Sequence, residues 1–425
     1  MNPPVEKVEG YLPYLAAGSE EGLVVRVHDL SRLTILLGPN AAGKTSVLTV
    51  LGYTIATLEG NPGRLARLLA ILSPLRLDRA PPRILVGAVD GEGRPGRTAV
   101  ITELDVPAQT LEHLRDAWRL LHGGGEGEAP AEKQLQELAE SLDKVYGIVD
   151  TRRGVLKSLM TASAITRLLG YNYRLSRAPY LAQQTGRERN RARVFLAHIL
   201  ENSSAKLHAV AAYTKDEIIA AAKPSGTEAG VEVTVYNPGY AYTPGLLETL
   251  YFSTKGHEAE LPRENEAVEA LRSFINWADG FEVTGDRLYL RSRQGGRRVD
   301  IYTLSDGQRA ATILAALYAS TGTRNTAMLI DTPEAFAHPD GLEVMAKMIA
   351  RLATHTGQVI VATQSLELLE ELLHSAKEEG ILDETSIIHL NLHGHETSPT
   401  GAWDGATILN LIEEVDLDPR LITPA

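Results

Sequence analysis

The chain has 425 residues, 44% of them hydrophobic, and a formal charge of -12. That length and apolar content suffice for a large buried core and exclude a disordered or fibrous protein. The absence of cysteine excludes disulfides, thiolate zinc sites and a cysteine nucleophile, and the 12 histidines form no cluster with metal-ligand spacing. No N-terminal stretch has the pattern of a secretory signal, and no apolar run reaches the ~20 residues of a membrane span. The expected compartment is the cytoplasm, with no membrane partner.

In chain order, Gly22 to Val27 and Leu33 to Leu37 read as short β runs, and the second passes through a glycine-containing loop into an apolar helix from Lys44 to about Leu58. Arg83 to Val89 and Thr98 to Val106 flank the glycine-rich stretch from Asp90 to Gly96, which predicts a β-hairpin with an exposed turn. His122 to Glu128 is a linker candidate. After it Leu135, Leu138, Leu142, Val145 and Val149 recur at three- and four-residue spacing. Two readings of this stripe stand. It pairs with a second helix around Arg191 to Ala222 as an arm roughly 40 Å long, at 1.5 Å per residue, or it is an amphipathic helix packed on the lobe.

From Thr151 to Phe195 ten basic side chains face one acid, Glu188, a local charge of +9 that leaves -21 for the rest of the chain. Its arginines, Arg187, Arg189, Arg191 and Arg193 among them, are interleaved with Tyr171, Tyr173 and Tyr180. This composition suits phosphate contacts and stacking on nucleic acid; the other reading is a solvated face or an internal partner for the chain's acids.

Toward the end, a helix from about Asp306 to Ala319 precedes the strand Ala327 to Ile330. A helix at Gly341 to Ala353, the strand Gln358 to Ala362, a helix at Leu366 to Lys377 and the strand Ser386 to Leu392 follow. Such alternation predicts a mostly parallel sheet covered by helices, with ligands at the carboxyl ends of the strands. The chain divides as 1–106, an inserted region 107–260, and 261–425.

Three motifs carry chemistry. Gly38-Pro39-Asn40-Ala41-Ala42-Gly43-Lys44-Thr45 fits the phosphate-binding loop, extended by Ser46 into the helix. Its glycines let backbone N–H groups turn toward phosphate oxygens, Lys44 reaches the β and γ phosphates, and Thr45 ligates magnesium. The apolar run Met328-Leu329-Ile330 ends in Asp331, placed to orient that magnesium, or to cap a helix. In Leu304-Ser305-Asp306-Gly307-Gln308-Arg309 a serine and a glycine open a helix and can present a hydroxyl and N–H groups to phosphate.

In this order the three motifs resemble the ABC ATPase head, in which the LSGGQ-like signature of one subunit closes over nucleotide held by the other. The resemblance covers about residues 20 to 106 and 285 to 420, and it is closer to the soluble SMC, RecF and OLD-like branch than to transporter subunits. It implies an α/β P-loop head with a mostly parallel sheet, an antiparallel β-hairpin lobe and an inserted helical arm. It also implies a homodimer with two ATP and Mg2+ at the interface, and Ser305, Asp306, Gly307 and Gln308 acting in trans.

The stretch from Ile330 to Pro339 departs from the branch's pattern. Thr332 occupies the position of the usual catalytic glutamate and cannot act as a base; Glu334 is the nearest carboxylate, either a substitute or a loop acid. Gln364 matches the switch histidine and can hydrogen-bond a γ-phosphate or water without titrating. Asp340 is expected at the dimer seam and His338 in a structural role, and neither Gln109 nor Gln183 is singled out as the magnesium-contacting glutamine. The implied function is a slow ATPase acting on double-stranded DNA in repair, recombination or chromosome organisation. The alternative is a nucleotide-switched scaffold, in defence or cytoskeletal organisation, with a protein partner.

Overall fold

The computed structural model describes residues 8–12, 23–59, 83–88, 98–107, 174–179, 191–201, 204–213, 217–222, 232–236, 261–284, 287–320, 326–394, 396–415 and 418. They fall into two compact units, one of Met1–Ile55, Val86–Gly96 and Gly230–Ala425, the other of Ala56–Leu85 and Arg97–Ala229.

The first unit contains β1 (Val8–Leu12), β2 (Leu23–Val27), β3 (Leu33–Leu37) and the start of α1 (Lys44–Glu59). β4 (Arg83–Ala88) pairs with β1 through residues 86–88. Five strands run parallel in the order β10 (Glu232–Tyr236), β14 (Thr326–Asp331), β15 (Gln358–Ala362), β3 and β16 (Thr385–His393). β3 and β15 are buried at every residue, Thr34 and Gln358 included, as nearly continuous apolar runs should be in the middle of a parallel sheet. β17 (Glu396–Asp404) returns antiparallel to β16, runs parallel to β2, and is followed by α6 (Gly405–Val415).

On one face of this sheet, Leu33, Ile35, Leu37, Met328, Ile330, Val359 and Val361 join a core with α3 (Asp306–Ala319), α4 (Pro339–His355) and α5 (Leu366–Glu378). α3 is buried along almost its whole length because Ala310, Ala311, Ala315, Ala316 and Ala319 allow close approach. α4 and α5 carry their own start signals. His338 and Ser365 each accept a backbone N–H at the helix entry, and Pro339 opens α4. Before α3, α2 (Glu264–Leu271) leads into a separate antiparallel sheet of β11 (Ala278–Thr284), β12 (Arg287–Ser292) and β13 (Arg298–Asp300).

Tyr318 of α3 is fully buried, and its hydroxyl donates to the exposed Glu266 of α2. Burial and that carboxylate push its pKa up to about 12. Because the folded pKa is raised, this contribution is present below pH 10 and is lost as the pH rises toward about 12. Tyr318→Phe should therefore cost about 1 kcal/mol at neutral pH. In urea melts taken across that alkaline window, the variant should lose less stability with rising pH than the wild type.

The second unit contains an antiparallel meander of β5 (Thr98–Pro107), β7 (Arg191–Glu201), β8 (Ser204–Tyr213), β9 (Glu217–Ala222) and β6 (Arg174–Pro179). The helix expected over 191–222 is thus corrected to three strands. Alanine-rich segments at 209–212 and 220–222 favour helix by propensity, but β8 pairs antiparallel with β7 on one side and β9 on the other, and this ladder overrides the local preference. Arg191 and Arg193 lie on β7. Arg187, Arg189 and the stripe from Leu135 to Val149 lie outside the described residues.

Candidate nucleotide site

β3 delivers the chain at Leu37 into a tight loop that ends where α1 begins at Lys44. Gly38, Ala41 and Gly43 have φ of 144°, 66° and 89°, so successive peptide N–H groups turn to one side as in an anion-binding nest. The two glycines are also fixed by packing. A Cβ on Gly38 would sit 2.3 Å from the Leu390 carbonyl oxygen of β16, and one on Gly43 would sit 2.1 Å from Thr397 Oγ1 of β17. The β16–β17 hairpin therefore packs directly against the loop at both glycines.

Lys44 is buried, and its Nζ donates to the carbonyls of Gly38 at 2.7 Å and Pro39 at 3.0 Å. Burial lowers its pKa, and the charges of Glu334 and Asp331 partly restore it. Those two carboxylates therefore face the same cation. Burial, with a lesser contribution from the same ammonium, pushes down the pKa of His389 on β16, whose Nδ1 lies 2.8 Å from Thr400 Oγ1.

Thr45 Oγ1 donates to Asp331 Oδ2 at 3.0 Å and Oδ1 at 3.2 Å. Neighbouring oxygen ligands of an octahedral magnesium ion, with bonds near 2.1 Å, stand about 3.0 Å apart, so this pair of oxygens would suit a shared magnesium ion. Among the described residues no group of three His, Cys, Asp or Glu could hold a metal alone. The remaining ligands would come from nucleotide phosphates and water. Bound there, Mg2+ would supply positive charge to the β- and γ-phosphate oxygens.

β14 and β15 are parallel and register Asp331 against Ala362, so the residues just past both strands meet beside the loop. Thr332 adopts φ 48°, a strained conformation for a β-branched residue. Its N–H donates to the Ala362 carbonyl, and its hydroxyl donates to Asp331 Oδ1 at 3.3 Å. It steadies the Asp331 carboxylate and offers no acid of its own. Glu334 folds back, and its Oε1 accepts from Thr363 Oγ1 at 2.7 Å and from the Gln364 backbone N–H at 3.1 Å. Its Oε2 is buried without a hydrogen-bond partner. A carboxylate oxygen desolvated and unsatisfied beside a phosphate loop is placed to receive a proton from a water molecule.

Ser305, exposed, caps α3 with its backbone, and its side chain makes no capping bond. Asp306 pairs with the buried Arg309. Gly307 lies against the following turn, where a Cβ would come within 3.0 Å of the Phe336 carbonyl oxygen. Gln308 is half-buried and accepts from Thr312 with its carbonyl. The segment 331–338 therefore touches the nucleotide residues at its start and the signature at its end. The structure brings Lys44, Thr45, Asp331, Glu334 and the Gln364 backbone together. Asn40 and Ala41 are exposed on the loop, Ala42 is buried, and Ser46 is half-buried in the first turn of α1. His338 and Asp340 are exposed at the entry of α4. Sequence reasoning missed Thr363, which holds Glu334 and adjoins the singled-out Gln364; Leu390 and Thr397 carried no signal.

Residues 166–370 match a family described as "AAA domain, putative AbiEii toxin, Type IV TA system". The phosphate loop precedes the matched span. "Uncharacterized protein MJECL11" of Methanocaldococcus jannaschii is 36% identical over 92 residues, covering 21% of this chain and 77% of that protein. Among solved structures, an Smc head with an extended coiled coil, bound to the C-terminal domain of ScpA derived from Pyrococcus furiosus, is similar at 12% identity and a TM-score of 0.38; the match covers 98% of this chain and 100% of that one. The SMC head domain from Thermotoga maritima is similar at 11% identity and a TM-score of 0.35, covering 94% and 99%. An SmcHead bound to the C-winged helix domain of ScpA gives 10% identity and a TM-score of 0.43, covering 96% and 100%.

Proposed function

We propose that the chain is an ATPase of the SMC, RecF and OLD-like group that binds ATP with Mg2+, hydrolyses it slowly, and acts on double-stranded DNA as a nucleotide-clamped homodimer; the match of residues 166–370 to an AAA domain family supports this reading. The observation that carries this reading is the convergence of Lys44 and Thr45, which follow β3, with Asp331 and Glu334, at the end of the parallel strand β14, on one phosphate loop.

In this reading the loop N–H groups and Lys44 bind the β and γ phosphates, and Thr45 and Asp331 hold Mg2+. Glu334 orients a water on the γ-phosphorus and takes its proton at Oε2 as the bond to the ADP oxygen breaks. Thr332 supplies no carboxylate at the position where the family's pattern has glutamate, which supports slow turnover. Ser305 and its neighbours close on the nucleotide of a second copy, and Asp340 lies at the seam. The arginines around Arg191 and Arg193 contact DNA, and the protein works in the cytoplasm. Among the described residues no helix is long and apolar enough to cross a membrane.

The test is ATP hydrolysis by the purified protein with and without duplex DNA, using Lys44→Ala as the blank. DNA-stimulated turnover that disappears in high salt is the expected result. A rate indifferent to DNA would move the reading to a nucleotide-switched scaffold with a protein partner.

A further inference from the structure

The sheet β11–β12–β13 ends in a turn at 293–296, closed by the Ser292 N–H donating to the Arg297 carbonyl at 2.9 Å. Gly295 and Gly296 carry φ of 74° and 62°, and open space surrounds both. Four arginines crowd this tip, Arg291, Arg293, Arg297 and Arg298, with no acid between 291 and 298. Arg291 and Arg298 are register partners across the β12–β13 ladder. Like charges set directly opposite each other destabilise a sheet, so this arrangement is unfavourable for the fold itself.

The acids nearby neutralise only part of the charge. Arg291 pairs with Glu264 at 2.7 Å, and Arg298 with Glu282 at 2.8 Å, its guanidinium 5.4 Å from the Tyr289 ring. Arg293 reaches Asp279 only at 3.8 Å, and that carboxylate already receives Arg272 at 3.0 Å. Arg297 is exposed and makes no ion pair among the described residues. Two guanidiniums at a glycine-opened tip are thus left with little or no counter-charge, on a chain whose net charge is -12.

We infer that this arginine tip is a docking surface for the phosphate backbone of double-stranded DNA. Planar guanidiniums match phosphate oxygens bidentately, and exposed ion pairs such as Arg298–Glu282 exchange readily for phosphate. Gln294 is the one amide side chain between 291 and 298, set among four arginines, so backbone phosphate contacts dominate and the binding is largely sequence-independent. β13 leads through one 3-10 turn, Ile301–Thr303, to Ser305, and the buried Ile301 ties that turn to the core. DNA held here therefore pulls on the segment that carries the signature. The inference rests on the DNA reading above and names a surface for it outside residues 151–195.

The test is fluorescence anisotropy of a labelled duplex with the full chain and ATP, titrated across salt. Arg293→Gln/Arg297→Gln should weaken binding by at least about tenfold at 0.1 M salt and lower the slope of log affinity against log salt by about 2. Arg293→Lys/Arg297→Lys should restore most of the affinity, and two unrelated duplex sequences should behave alike. Thermal melting of each variant shows that the fold is intact. If the wild type binds duplex and the glutamine variant binds equally, the tip is not the surface, although the DNA reading stands. If the wild type binds no duplex, both fail. Arginine-dependent binding of polyglutamate without duplex binding overturns the inference in favour of an acidic protein partner.

Discussion

Glu334→Gln is expected to lower ATP turnover by about two to three orders of magnitude, the usual range for removing a positioned general base, while ATP affinity stays within a few-fold of the wild type. The two halves of this expectation come from different atoms of one side chain. Oε1 is fixed by Thr363 Oγ1 and the Gln364 N–H, and a glutamine carbonyl oxygen accepts the same two bonds. Oε2 is the buried atom with no partner, and the substitution puts an NH2 there that cannot take a proton. Asp331 is no substitute, because its two oxygens already accept from Thr45 and Thr332. Single-turnover hydrolysis beside equilibrium ATP binding separates chemistry from affinity. Turnover within twofold of the wild type would remove Glu334 from the chemistry.

The extent to which the site was legible in the sequence follows from where its parts lie. β3, α3 and β15 fall on the expected residues because each is a long apolar run between sharp signals, such as Gly38 after β3 and Ser305 before α3. The phosphate loop and Asp331 are local motifs and were read directly. Glu334 was open between two readings because its role depends on a neighbour 29 positions away, and only the parallel pairing of β14 with β15 puts Thr363 beside it. β17 was invisible for a related reason. Its sequence Glu-Thr-Ser-Pro-Thr-Gly-Ala-Trp-Asp has no apolar alternation, and Pro399 is accommodated where the register slips between His389 and Leu390. That strand exists through its pairing with β16 and β2, and the same pairing carries Thr397 to Gly43. The tertiary contacts that shape the loop from behind are those that a one-dimensional pattern does not contain.

Lys44→Ala and Ser305→Arg should each abolish ATP turnover, yet mixing the two inactive proteins should restore about a quarter of wild-type activity if subunits of the symmetric dimer exchange freely. Lys44 belongs to the loop that holds nucleotide, whereas the Ser305 hydroxyl is exposed at the start of α3 and unused in its own cap. An arginine at 305 obstructs closure without entering the core, so that variant should still bind ATP; Lys44→Ala should not. In a mixed dimer, one site combines the intact Lys44 of one subunit with the intact Ser305 of the other, and the second site carries both defects. Half of randomly paired dimers are mixed and each has one sound site of two, which sets the quarter. Gly307 lies so near the Phe336 carbonyl that a Cβ would come within 3.0 Å of it, and the Ala337 N–H donates to the Glu334 carbonyl, so closure of residues 305–308 on a second copy would have a route to Glu334 within its own subunit. Recovery on mixing, measured at a concentration that supports dimerisation, would mean that the signature acts in trans. No recovery, with subunit exchange shown independently, would confine each nucleotide to residues of a single chain.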